Sequence, residues 1–127
     1  MSDAPLILIV EDDPTVQGLL KVLMETEGYD TMIAKDGLEG LLKAEIRHPS
    51  LIILDIMMPN VDGERVLEEM RSRADLANVP VLIVTGRADA HQAFDGLVGP
   101  NNVIPKPFEP DALTKRVADL LAGKGAK

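Results

Sequence analysis

The 127-residue sequence contains no cysteine, which excludes disulfides, thiol nucleophiles and thiolate metal sites and agrees with a reducing compartment. It has no apolar run approaching the roughly 18 residues of a membrane span, and its first residues lack the basic-then-apolar order of a secretory leader. A cytoplasmic setting without a membrane partner is the expectation. Positive charge is also scarce: 13 Lys and Arg against 21 Asp and Glu leave a net charge of −8. Such a surface repels nucleic acid and anionic lipid, so direct contact with DNA is not expected of this chain. The first apolar run ends in acids, with no glycine-rich phosphate loop, which argues against nucleotide binding. There is no internal repeat and no low-complexity block.

What is present fits one domain, residues 1–122, with 123–127 of the closing AGKGAK as a tail or linker remnant. Four apolar runs stand out, Leu6 to Val10, Leu51 to Leu54, Val81 to Val84 and the weaker Val103 to Ile104, with Thr31 to Ala34 as a fifth, less apolar candidate. Runs without alternation predict strands covered on both faces, the habit of parallel sheets. Between them lie segments of helical spacing. Val16, Leu19, Leu20 and Leu23 form one stripe, opened by Asp13 as N-cap and Pro14 at the first helical position and closed by Gly28. Leu38, Leu41, Leu42 and Ile46 form a second, and Val66, Leu67 and Met70 a third. Ala90, Ala93, Phe94 and Leu97 suggest a fourth, weakened by Gly96, Gly99 and Pro100, and Pro110, Leu113, Val117, Leu120 and Leu121 a fifth. Five strand-helix alternations predict a three-layer α/β sandwich with right-handed crossovers.

Parallel strands end on one edge, and the residues after each run are informative: Glu11, Asp12 and Asp13, then Asp55, Thr85 and Lys106. Open α/β sheets place their sites outside these carboxyl ends, where strand order reverses. Glu11, Asp12 and Asp55 would make an oxygen-rich pocket without sulfur or imidazole. This is the preference of a hard cation, and Mg²⁺ suits it best, because it binds through one or two carboxylates and keeps several waters. Calcium would want more ligands and a D-x-D-x-D-G loop, which is absent. A carboxylate nucleophile, a hydroxyl from Thr85 and an ammonium from Lys106 beside such a metal suit phosphoryl transfer, and Gly86 leaves the approach unobstructed.

The segments LIVEDDP, LIILDIMMPNVDG, VLIVTGRA and PKPF, in this order, resemble the receiver domain of two-component response regulators over about residues 5–122. The resemblance implies a flavodoxin-like (βα)5 sandwich with a parallel sheet of order 2-1-3-4-5. It implies that Asp55 is the phosphorylated aspartate and that Glu11 and Asp12 are the acidic pair, Asp12 ligating Mg²⁺ directly and Glu11 through water. Met57 would lend its backbone carbonyl to the metal, and Thr85 and Lys106 would be the switch hydroxyl and the lysine. Pro107 would follow a cis peptide, and Pro59 and Gly63 match the loop after the phosphorylation site. The implied partners are a sensor histidine kinase or phosphotransfer protein and a downstream protein or output domain, read through the face of the fourth helix, fifth strand and fifth helix. Such a protein catalyses only its own phosphorylation and dephosphorylation and is not otherwise an enzyme.

The sequence departs from the family at three places. Val103 stands where an aromatic switch residue is usual, FDGLVGPNN replaces the usual end of the fourth helix, and Ala112 stands where a glutamate would join Arg116 in a transcription-factor dimer face. Val103 and FDGLVGPNN leave open a scaffold that keeps the fold without phosphorylation, and a separate alternative is a Mg²⁺-dependent aspartyl phosphohydrolase. The latter usually has a second Asp two residues past the nucleophile, where this chain has Met57. Arg87, two residues past Thr85, reads as solvated or as an influence on phosphate loss. His48 and His91 carry no assigned role, and Met57 and Met58 read as a packing and a loop residue.

Overall fold

The computed structural model describes residues 3–57 and 63–123, with Pro100 described by its backbone alone. Met58 and Pro59, and all of the 123–127 tail but Gly123, lie outside the described residues. Strands β1 (Leu6–Val10), β2 (Asp30–Ala34), β3 (Leu51–Leu54), β4 (Val81–Thr85) and β5 (Val103–Pro105) alternate with helices α1 (Pro14–Thr26), α2 (Gly37–Arg47), α3 (Gly63–Ser72), α4 (Ala90–Val98) and α5 (Pro110–Leu121). All strand pairs are parallel and the order is β2-β1-β3-β4-β5. The fold class expected from the sequence is the one observed.

The unbroken apolar runs sit where both faces of the sheet are covered. Every residue of β3 and β4 is buried, whereas edge strand β2 is half-buried. Alternate residues feed two cores. Leu8, Val10, Ile52 and Leu54 pack with α3 and α4 through Leu67, Met70, Phe94 and Val98. On the other face, Ile7, Ile9, Ile53 and Leu82 pack with α1 and α5 through Leu20, Met24, Leu113 and Val117.

Helix starts follow local chemistry. Asp13 caps α1 by accepting from Thr15 N at 2.9 Å with Pro14 behind it, and Asp36 caps α2 by accepting from Glu39 N at 2.8 Å. α1 is followed by Gly28 at φ +89°, a conformation that favours glycine.

Two expected stripes turn differently. In α1 the buried residues are Leu20 and Met24, with Val16 and Leu23 at the margin and Leu19 exposed. In α2 the inner face is Gly37, Gly40 and Ala44, with Leu41 alongside, while Leu38, Leu42 and Ile46 are 66%, 51% and 73% exposed. The cause is close approach: a Cβ on Gly40 would lie 2.9 Å from Val10 Cγ2, so the helix rides on the sheet at a distance only small residues permit. The large aliphatic side chains turn outward. The fourth helix is short, as its glycines suggested: it stops at Val98, Gly99 takes φ +95°, and a 3-10 turn over Pro100–Asn102 leads into β5.

Candidate functional site

The chain turns outward from β1 to β2 on one side and returns to β3 on the other, so strand order reverses between β1 and β3. The residues just past the strand ends are held there by one further backbone bond each. Glu11 N donates to Ala34 O at 3.0 Å, Asp55 N to Val10 O at 3.0 Å, and Lys106 N to Thr85 O at 2.8 Å. Each ladder thus runs one residue past its strand and fixes where the polar side chain begins.

Glu11 and Asp55 are 2% and 5% exposed, which would be costly for lone carboxylates. Neither is alone. Lys106 Nζ donates to Glu11 Oε1 at 2.6 Å and to Asp55 Oδ2 at 3.0 Å. The remaining oxygens take backbone donors, Asp13 N to Glu11 Oε2 at 3.1 Å and Met57 N to Asp55 Oδ1 at 2.9 Å. Asp12 is exposed and has no hydrogen-bond or ion-pair partner among the described residues. One oxygen from each of Glu11, Asp12 and Asp55 lies within 4.8 Å of the others. Two unit charges at 4.8 Å repel by about 3 kcal/mol at an effective dielectric near 20, and by less where Asp12 meets solvent.

Three carboxylates against one ammonium leave the pocket short of positive charge. Burial pushes the Glu11 carboxyl above its ordinary value, although the bonds from Lys106 and Asp13 pull against it. On Lys106 burial acts downward, but the bonds and charges of Glu11 and Asp55 outweigh it and hold the ammonium above its ordinary range. Lys106 therefore stays charged. The Lys106–Pro107 peptide is cis, as the resemblance implies.

Thr85 is fully buried at the end of β4, beside β3 and β5, and its hydroxyl accepts from Arg87 N at 3.3 Å. The structure thus brings Glu11, Asp12, Asp55 and Lys106 into contact range and sets Thr85 on the adjoining strand. Arg87 bonds Asp89 and lies 5.5 Å from the centre of the Phe94 ring, so it ties the loop after Thr85 to α4. Met57 is exposed past β3. Gly63 meets Ile56 so closely that a Cβ would lie 2.5 Å from its Cγ2. Arg116 donates to the buried Asn102 at 2.8 Å, and Asn102 donates in turn to Val98 O at 2.6 Å. His48 and His91 face Asp75 and Asp95 at the surface, away from the cluster.

One residue near the site was passed over in the sequence. Gln17, on α1, donates Nε2 to the main-chain oxygen of Glu11 at 2.6 Å. Its only trace there is a polar residue set between Val16 and Leu20 on a helix read as apolar on that side.

A parallel sheet of this order carrying acids at its switch point and a lysine at the end of β5 is the architecture of a receiver domain. The family model for the response regulator receiver domain matches residues 7–118. The chain belongs to that family. It is similar to the DNA-binding dual master transcriptional regulator RpaA of Synechocystis, 38% identical over 120 residues, which cover 92% of this chain and 49% of that protein. It spans about half the length of the transcriptional regulators it matches. Among solved structures it resembles a CheY-like receiver domain protein from Methanospirillum hungatei, with TM-score 0.85, 30% identity and coverage of 95% and 96%. It also resembles the signal receiver domain of a signal transduction histidine kinase from Syntrophus aciditrophicus, with TM-score 0.83, 35% identity and coverage of 94% and 92%. No helix among the described residues is long and apolar enough to cross a membrane.

Proposed function

We propose that this receiver domain is a phosphoacceptor switch in which Asp55 takes a phosphoryl group from a phosphohistidine on a sensor histidine kinase or phosphotransfer protein. The observation that carries this is the contact of one ammonium, Lys106, with two buried carboxylates, Glu11 and Asp55, beside a third, Asp12, that has no partner among the described residues. The all-oxygen donor set and its uncompensated charge fit Mg²⁺. Glu11, Asp12, Asp55 and the Met57 carbonyl would hold it, Glu11 through water. When bound, it supplies positive charge that offsets the repulsion between Asp55 and an incoming phosphoryl group.

In the transfer an Asp55 carboxylate oxygen bonds to phosphorus as the phosphorus–nitrogen bond of the donor breaks, and the histidine leaves with the bonding pair. Lys106 moves from pairing Glu11 and Asp55 toward the new phosphoryl oxygens, which add about −1.5 to −2 of charge. Thr85 turns its hydroxyl to the same oxygens, giving up Arg87 N as donor. Because Arg87 lies against Phe94, displacement of the loop after Thr85 is felt by α4, and the α4–β5–α5 face changes for a downstream partner or output domain. Val103 offers no ring for this step, so the Arg87–Phe94 contact carries it instead. Hydrolysis of the acyl phosphate resets the site, and the chain processes no other substrate. We place the exchange in the cytoplasm. With its acidic surface, this chain makes no direct DNA contact, and any contact of that kind belongs to residues outside the matched segment or to a partner.

Intact mass spectrometry after incubation with phosphoramidate tests the reading. Wild type with Mg²⁺ should gain one phosphoryl group, and both Asp55→Asn and wild type in EDTA should gain none. Multiple turnover of phosphomonoesters would support a phosphohydrolase instead. No adduct under any condition would support a scaffold.

A further inference from the structure

We propose that Gln17 is a positioning residue for the acidic pair, fastening the backbone that aims Asp12 into the pocket; this rests on the phosphoacceptor reading above. Asp12 is exposed and no described side chain or backbone group holds its carboxylate. Its aim is therefore set by the main chain on either side of it. Both neighbouring carbonyls are bonded to a single residue: Gln17 Nε2 donates to Glu11 O at 2.6 Å, and Gln17 N donates to Asp13 O at 2.9 Å.

The second bond belongs to the first turn of α1 and survives any side-chain change. The first depends on the amide of the side chain. Glu11 O is the carbonyl of the Glu11–Asp12 peptide, and rotation of that peptide swings the Cβ of Asp12 away from Glu11 and Asp55. The Glu11 side chain has fastenings of its own, since Lys106 and Asp13 N occupy its two oxygens. Loss of the Gln17 amide thus falls mainly on Asp12. Gln17 touches neither the metal nor the phosphoryl group and acts through the backbone, as supporting residues around metal ligands do.

Gln17→Met keeps the side-chain length and removes the donor. Calorimetric titration of metal-free protein with Mg²⁺ should show affinity weakened about three- to ten-fold, the range of one lost hydrogen bond. Phosphorylation by phosphoramidate at saturating Mg²⁺ should stay within about two-fold of wild type, because Asp55, Lys106 and Thr85 are untouched. Gln17→Ala should behave alike, and circular dichroism checks that both variants fold. Unchanged Mg²⁺ affinity in both, even with a lowered melting temperature, would make Gln17 an ordinary fastening between helix and strand and overturn the proposal. A rate lost at saturating Mg²⁺ with affinity intact would overturn it too. Wild type that takes up no phosphoryl group would sink the phosphoacceptor reading, while the Mg²⁺ affinities would still decide the role of Gln17.

Discussion

Asp12 and Lys106 show how individual residues divide stability from function at this site. Asp12 faces two other carboxylates without a partner among the described residues, so in the absence of metal it opposes folding. Asp12→Asn should stabilise the metal-free protein by about 0.5–1 kcal/mol, as relief of like charge at a functional site does, while weakening Mg²⁺ binding; urea unfolding with and without Mg²⁺ checks both. Lys106 acts in the opposite sense. Lys106→Ala strands buried Glu11 and Asp55, and the expected loss near neutral pH is about 2–3 kcal/mol, below the cost of a wholly buried pair because Lys106 reaches solvent. The sign of its pH dependence follows from the raised Glu11 carboxyl. A carboxyl whose folded pKa is raised disfavours the fold as pH rises through it, so acidification should relieve part of the deficit. Equal deficits at pH 5 and pH 7 would contradict this origin. Of these contacts the sequence showed the residue types and strand-end positions. It could not show that Lys106 meets Glu11 across 95 residues, because only the sheet order brings those strand ends together.

Among the elements, legibility followed burial. β3 and β4 were plain because both faces are covered and their residues are uniformly apolar. The Asp13 cap was plain because capping is local. The inner face of α2 was not, because stripe reading assumes that large apolar residues point inward, and at Gly40 the sheet comes too close for them. This difference can be measured. Gly40→Val should cost about 1–3 kcal/mol by overpacking against Val10, whereas Leu42→Gln, on the exposed line, should stay within about 0.5 kcal/mol of wild type. The reverse ranking in chemical denaturation would restore the stripe as the buried face. Gln17 was missed for a related reason: a polar side chain bonding back to a main-chain oxygen leaves no periodic mark.

In the whole molecule, the two cores cover both faces of the sheet while the polar groups collect at its carboxyl edge, and α4, β5 and α5 are joined by Asn102 through Val98 O and Arg116. Phosphorylation should therefore alter amide hydrogen exchange over 86–105 and in α5 in wild type and leave Asp55→Asn unchanged. Alteration confined to the loop after β3 would break the proposed link from Thr85 through Arg87 to α4. The central claim is that Asp55 itself accepts the phosphoryl group. Borohydride reduction of the phosphorylated chain converts an aspartyl phosphate to homoserine, and peptide sequencing by mass spectrometry then locates it. Homoserine at residue 55 alone, formed only with Mg²⁺ and a phosphodonor, is the predicted result; an unchanged Asp55, or homoserine at another aspartate, would contradict it.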